Sequence, residues 1–358
     1  MKIYHVLPKS KLGGAETAVF SSVAYLNKKG EGFKVITIEK SNDYSHINSD
    51  FLIRLDGSIF NPICYFRFIK LIIKTKPDMI VFSLWKSSLF GLALKLFFFF
   101  TKRKIKTSLI IHSSKFSHWM DLLVTKIGVK VFDNIYFDSL STQKSFSKKN
   151  NEQDMVLSFS TRQVSPKQFE SLEHVIKFVF VGRLHKVKNV TTSINFIKFL
   201  TDAGINIKYD IFGPDEGELE NINNRIAKLK LNGIVCYKGV LDNNDVIDTI
   251  KKYNFYIQFS EYEGMAMSVV ESMKAGLVPC VTSVGEIPNY SKDGFNAIHF
   301  DARYIHDSFY LKDMAMKLKG VIEDGALYEN LSNNSSNTFL ESKGYKEDYF
   351  DKIILRNK

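Results

Sequence analysis

Three segments of this chain set charged side chains beside glycines in a way that suits a phosphorylated ligand. The first, Lys9-Ser10-Lys11-Leu12-Gly13-Gly14-Ala15-Glu16, follows an apolar run and opens an amphipathic one. Gly13 and Gly14 either let backbone approach a ligand at the positive end of a helix or serve a tight strand–helix turn. The second, Phe180-Val181-Gly182-Arg183-Leu184-His185-Lys186-Val187-Lys188-Asn189, ends a buried strand at Gly182, and Arg183 and Lys188 bracket the loop that follows. Asn189 reads as the N-cap of the next helix. A diphosphate there would meet guanidinium, ammonium and N–H donors together, with Lys186 left as solvated surface charge.

The third segment runs from Ser260 to Gly276 and holds Glu263 in a loop above a strand end and Glu271 in the first turn of a short helix. Positions eight apart differ by about 80° around a helix. The two carboxylates are therefore no acid–base pair on one helix; they suit two parts of one extended ligand. A charged carboxylate can accept from two sugar hydroxyls, each bond contributing about 1.5–3 kcal/mol. Backbone N–H groups of Gly264, Met265, Ala266 and Met267 could meet an oxyanion or a hydroxyl. Ser268-x-x-Glu271 also reads as a capping box, in which Glu271 would only satisfy its own helix end.

The elements that must carry these loops alternate. Strands are predicted at 2–7, 33–38, 78–83, 107–111 and 134–137, with helices at 15–29, 63–75, 87–100 and 116–130 between most of them. A stretch without periodicity, 158–173, contains Pro166 and reads as a linker. Alternation then restarts, with strands at 175–181, 207–212, 234–237, 255–259 and 278–282 and helices at 190–203, 216–230, 243–252 and 268–274. This is the pattern of two doubly wound α/β units, which bind ligands at the carboxyl ends of their strands. The expected organisation is an N-terminal Rossmann-like domain over 1–165, a C-terminal one over 166–340 facing it across a cleft, and a helix over 341–358 packing back on the first.

Composition narrows the function. Among 358 residues, 45% are hydrophobic and 24% charged, which excludes disorder, collagen-like repetition and a disulfide scaffold. Cys64, Cys236 and Cys280 form no C-x-x-C pair, pointing to a reducing compartment. The G-x-G-x-x-G pattern is absent, against a dinucleotide oxidoreductase, and no D-x-D triplet offers a site for magnesium. Net charge is +11, and residues 1–170 hold 26 Lys and Arg against 13 Asp and Glu, so the whole surplus lies in the first half. Such a field suits an anionic partner.

Taken together, the Gly13-Gly14-Ala15-Glu16 loop, Gly182-Arg183 with Lys188, and Glu263-x7-Glu271 running on to Lys274-Ala275-Gly276 resemble the retaining family 4 glycosyltransferases of the GT-B fold. The likeness extends to Ser283-Val284-Gly285-Glu286-Ile287-Pro288 and Lys292-Asp293-Gly294-Phe295-Asn296. It implies a nucleoside-diphosphate sugar donor held mainly by the second domain, and metal-independent hexosyl transfer without a cofactor. Arg183 and Lys188 match the family's diphosphate pair, Glu271 its ribose ligand, and Glu263 the carboxylate beside the transferred sugar. Gly14 matches the loop near the phosphates, and His112 a histidine that contacts the sugar. Met265-Ala266 stands where the family commonly has an aromatic residue and glycine, so the sugar pocket differs.

The apolar stretch 87–100, followed by Lys102-Arg103-Lys104, and the mixed segment 63–76 can lie in an anionic membrane interface, though neither is long enough to span one. The opening residues are too short an apolar run for a signal peptide. A cytoplasmic enzyme at the inner face of the cell membrane is expected, acting on a lipid-linked glycan in surface polysaccharide or lipopolysaccharide synthesis. A non-catalytic GT-B partner protein and a sugar-nucleotide epimerase are the alternatives. Nucleic-acid binding ranks last, because no recognition motif accompanies the charge.

Overall fold

The structure is a computed structural model that describes the chain apart from residues 11–13, 41–49, 103, 114–115, 117, 147–154, 159, 162–163, 167–171, 173 and 243–244. It divides into two units, one of Met1–Thr161 with Lys343–Lys358, the other of Arg162–Ser342.

The first unit is built on β1 (Lys2–Leu7), α1 (Gly14–Lys28), β2 (Gly32–Glu39), β3 (Leu52–Gly57), α2 (Pro62–Thr75), β4 (Met79–Ser83), α3 (Trp85–Thr101), β5 (Lys106–Ile111), α4 (Trp119–Val131), β6 (Asn134–Phe137) and α5 (Leu140–Phe146). All six strands are parallel, in the order β3-β2-β1-β4-β5-β6. Ile3 aligns with Phe33 on one side and Met79 on the other. The central strands are almost wholly buried because helices cover both faces, and no residue of β4 is exposed. β3 escaped the sequence reading because it is an edge strand whose Arg54 and Asp56 interrupt the apolar run. α4 starts at Trp119 rather than 116, where the His118 side chain accepts from the Asp121 amide.

The C-terminal segment enters this unit as α13 (Tyr345–Asp348) and a π-helical turn over Tyr349–Ile354. Its Tyr345 and Tyr349 are fully buried, and Asp348 accepts from the Ser158 amide at 2.8 Å. Tyr349 reaches His5 Nδ1 at 3.0 Å, while His5 Nε2 meets Ser83 Oγ at 2.9 Å. Desolvation lowers the pKa of His5 and of His112 to about 3, with repulsion from His112 adding to the effect on His5. Both rings are thus neutral in the folded chain near neutral pH, whereas in the unfolded chain they titrate near about 6.5. Unfolding takes up protons below that value, so stability falls as pH drops from about 6.5 towards 3, by up to about 1.4 kcal/mol per pH unit for each ring. The chain's two tryptophans, Trp85 and Trp119, both lie here and report this unit alone. Their urea midpoint should fall between about pH 7 and 5, and His5→Gln should flatten the slope; a midpoint indifferent to pH would remove this account.

The second unit comprises β7 (Ile176–Val181), α6 (Val190–Asp202), β8 (Ile207–Phe212), α7 (Leu219–Lys228), β9 (Val235–Tyr237), α8 (Val246–Ile250), β10 (Phe255–Gln258), α9 (Met267–Lys274), β11 (Val278–Thr282), α10 (Ile287–Tyr290), β12 (Ile298–Phe300), α11 (Ser308–Glu323) and α12 (Gly325–Asn337). Its sheet is also six-stranded and parallel, in the order β12-β11-β10-β7-β8-β9. One face packs on Phe178, Phe180, Ile194 and Phe255, the other on Val179, Tyr256, Val269 and Val281. α7 begins three residues later than its periodicity suggests. The Asp215 carboxylate accepts from the amides of Gly217, Glu218 and Leu219 and holds the chain in a turn first.

Two parallel six-stranded sheets, each doubly wound, make this an α/β protein of the expected class.

Candidate functional site

In a doubly wound sheet the strand order reverses at one point, and the loops leaving the strands on either side of it open a crevice. In the second unit that point lies between β7 and β10, since β8 and β9 extend one way and β11 and β12 the other. The loop after β7 carries Arg183 and Lys188, and the loop after β10 carries Glu263. Lys188 Nζ lies 2.6 Å from Glu263 Oε1, with only 15% and 10% of the two side chains exposed. A charge pair therefore bridges the reversal point itself.

The pair is held from below by a polar chain that sequence reasoning missed. Gln258, the last residue of β10, donates from Nε2 to Glu263 Oε1 at 2.8 Å and accepts from the Tyr256 hydroxyl at 2.7 Å. Tyr256 lies 3.1 Å from the Val181 carbonyl, and desolvation drives its pKa far above the ordinary phenol value, so it stays a donor. A glutamine in an otherwise apolar central strand was the available signal, because a buried amide needs partners.

Backbone contacts fix the same loops. The Glu261 amide donates to the Val187 carbonyl, and Asn189 Nδ2 to the Phe259 carbonyl, at 3.0 and 3.1 Å. Asn189 precedes α6 in a left-handed conformation, φ 48°, and its side chain does not cap the helix. Its expected capping role is thus corrected: the buried amide ties the β7 loop to the β10 loop instead. The Ser268–Glu271 capping box is corrected likewise. α9 starts at Met267 behind Ala266, which adopts φ 54° and caps nothing. Ser268 is already inside the helix and hydrogen-bonds Tyr256. Glu271 follows one turn in, half-buried, beyond the first turn where the sequence placed it.

The β11 loop closes against the Glu263 segment. Glu286 N donates to the Gly264 carbonyl, and the half-buried Tyr290 hydroxyl to the Met265 carbonyl, both at 3.1 Å. Gly285, φ 61°, lies so close that an added Cβ would come within 2.2 Å of the Glu263 carbonyl oxygen.

Arg183 is more open. Its guanidinium pairs with Glu216 at 2.8 Å and keeps 57% of its side chain exposed, so the structure does not join it to the Lys188–Glu263 pair. In the first unit, Gly14 opens α1, and a Cβ there would meet nothing within 4 Å, so packing alone does not require a glycine. Gly13 lies outside the described residues. His112 directly follows β5 and is close enough to His5 to repel its charge.

Two helices, α6 and α9, therefore begin at the reversal point with no side chain capping their first amides. Such ends favour anions. Among the described residues no three His, Cys, Asp or Glu side chains gather as a metal site.

No curated protein matches the chain in sequence. Solved structures do in fold. Anabaena Alr3699/HepE in complex with UDP and glucose superimposes with a TM-score of 0.76 at 14% identity, over 97% of each chain. S. aureus TarM, as a variant bound to Fondaparinux, alpha-GlcNAc-glycerol and UDP, gives 0.77 at 10% over 100% of each. The pneumococcal O-GlcNAc transferase GtfA with UDP and GlcNAc gives 0.75 at 13% over 97% of each. The family model described as glycosyl transferases group 1 matches residues 161–338. That span coincides almost wholly with the second unit and contains Arg183, Lys188, Glu263 and Glu271, so the second unit is similar to glycosyl transferases group 1, and the chain as a whole shares the GT-B fold of these structures.

Proposed function

We propose that the protein is a retaining hexosyltransferase that moves a sugar from a nucleoside-diphosphate sugar to a lipid-linked glycan, without a metal ion. The observation that carries this reading is the Lys188–Glu263 pair set across the reversal point between two uncapped helix ends. A diphosphate seated there draws on the Lys188 ammonium and the amides of α6 and α9, and Arg183 exchanges Glu216 for a phosphate oxygen. Gly264, Met265, Ala266 and Met267 line the approach to the sugar, and Glu271 takes the ribose hydroxyls.

As the bond between the anomeric carbon and the phosphate oxygen breaks, its electron pair stays on that oxygen. The two cationic side chains and helix ends neutralise the charge as it develops. The acceptor oxygen bonds to the anomeric carbon from the same face and gives its proton to the departing phosphate, so configuration is kept. Glu263 stabilises the cationic sugar and orients it. A panel of nucleotide sugars scored for release of nucleoside diphosphate, with and without membrane extract, tests this. Arg183→Ala should lower turnover by at least about a hundredfold; near-normal turnover would refute its role.

Surface features of the first unit support the further reading that the acceptor is membrane-borne and that the enzyme works at the inner face of the cell membrane in polysaccharide or lipopolysaccharide assembly. α2 and α4 pack on either side of α3, and the unit exposes Phe66 with Lys70 and Lys74 on α2 and Phe99 and Phe100 beside Lys102 and Lys104 at the end of α3, each of these rings more than 70% accessible. Among the described residues no helix is long and apolar enough to cross a membrane. Apolar tips within a cationic field suit interfacial insertion into anionic lipid. The chain should float with phosphatidylglycerol vesicles at low salt, and Phe99→Asp with Phe100→Asp should abolish flotation; an unchanged yield would overturn the assignment.

A further inference from the structure

The first unit has its own reversal point, between β1 and β4, and a second charged cluster occupies it. Glu39, the last residue of β2, meets Lys9 Nζ from the loop after β1 and Lys86 Nζ from the start of α3, each at 3.0 Å. Against the desolvation that burial imposes, hydrogen bonds from Lys86 and Lys9 hold the Glu39 carboxyl below its ordinary range, so it is ionised. One carboxylate facing two ammonium groups leaves a surplus positive charge. Each ammonium carries three donors, of which one faces Glu39, and 43% and 31% of the two lysine side chains remain exposed.

The backbone beside this cluster is strained. Leu84, between β4 and α3, adopts φ 71° and ψ 149°, a conformation that side chains rarely tolerate, and no side chain caps α3. Strain of this kind collects where a site needs a fixed geometry. It sets Trp85 beside Lys86, whose ammonium lies 5.9 Å from its ring centre, with the His118 ring edge-on at 4.7 Å.

We propose that Lys9 and Lys86 bind a phosphate group of the acceptor, held above Glu39 at this reversal point, with Trp85 flanking the chain or sugar that the phosphate carries. The inference rests on the transferase reading and names the acceptor's chemistry: an anionic phosphoester. Glu39 spaces the two ammonium groups, and a phosphate dianion satisfies the charge that a single carboxylate leaves over.

The test uses the full chain with Trp119→Phe, which leaves Trp85 as its single tryptophan. Inorganic pyrophosphate, geranyl diphosphate and glucose 1-phosphate are titrated while Trp85 fluorescence is followed. At least one should give a saturable change whose midpoint rises about tenfold or more in Lys9→Ala and Lys86→Ala, with Lys86→Arg restoring most of the binding. Tighter binding of geranyl diphosphate assigns the phosphate to a lipid carrier; tighter binding of glucose 1-phosphate assigns it to a phosphorylated glycan. Arg183→Ala, which disables the donor site in the other unit, should leave the titration unchanged, so this binding and the donor reading can fail separately. No saturable change with any of the three, or a change that both lysine variants retain, overturns the proposal.

Discussion

Alanine at position 188 is expected to lower transfer by at least about a hundredfold, because it removes the ammonium that meets the charge on the departing phosphate. It should also destabilise the second unit by about 3 kcal/mol, since it strands the Glu263 carboxylate in a site where only 10% of that side chain reaches solvent. The two losses have different causes and come apart in a double variant. Glu263→Gln removes the stranded charge while keeping an oxygen for the Gln258 amide to donate to. Lys188→Ala with Glu263→Gln should therefore recover much of the stability, read from the urea midpoint by circular dichroism, and none of the turnover. A double-mutant cycle quantifies the coupling between the two. If Lys188→Ala alone transfers sugar normally, the pair is a structural brace and the diphosphate lies elsewhere.

Much of this site was legible before any coordinates. Lys188 and Glu263 stand out by type and spacing, and the alternation of apolar runs with helix-length segments announces two doubly wound units. What local pattern could not give is who meets whom. The Lys188–Glu263 contact joins residues 75 apart, and Gln258 beneath it is a single amide in an apolar strand. The Ser268–Glu271 box failed for a related reason. Capping motifs describe a helix end in isolation, whereas α9 begins one residue earlier because Ala266 is forced into φ 54° by the turn out of the β10 loop. The edge strands β3 and β12 were missed because they are half-exposed or only three residues long, so burial leaves little signature in them. Glu39 was passed over because its lysines come from separate elements, the loop after β1 and the start of α3, and only the strand order brings them together.

The position of Glu263 depends as much on Gly285 as on its own partners. An alanine there would face two demands at once. Its backbone would have to keep φ at 61°, which a residue with a Cβ adopts at a cost of about 1 kcal/mol or more. Its Cβ would also come within 2.2 Å of the Glu263 carbonyl oxygen and 2.9 Å of the Gly264 carbonyl oxygen. These are backbone atoms, so no rotamer change relieves the clash; the β10 and β11 loops must separate. Separation breaks the bond from the Glu286 amide to the Gly264 carbonyl and shifts Glu263 away from Lys188. A displacement of about 1 Å at a site that orients reacting groups costs on the order of a hundredfold in rate. Gly285→Ala is thus expected to fold, to lose roughly 2–3 kcal/mol of stability, and to transfer sugar about a hundredfold more slowly. Gly294→Ala is the control: that glycine also has a positive φ, 70°, but a Cβ there meets nothing within 4 Å. It should show the conformational cost without the loss of rate. Equal turnover in the two variants would mean that backbone strain alone, and not the contact with Glu263, governs this loop.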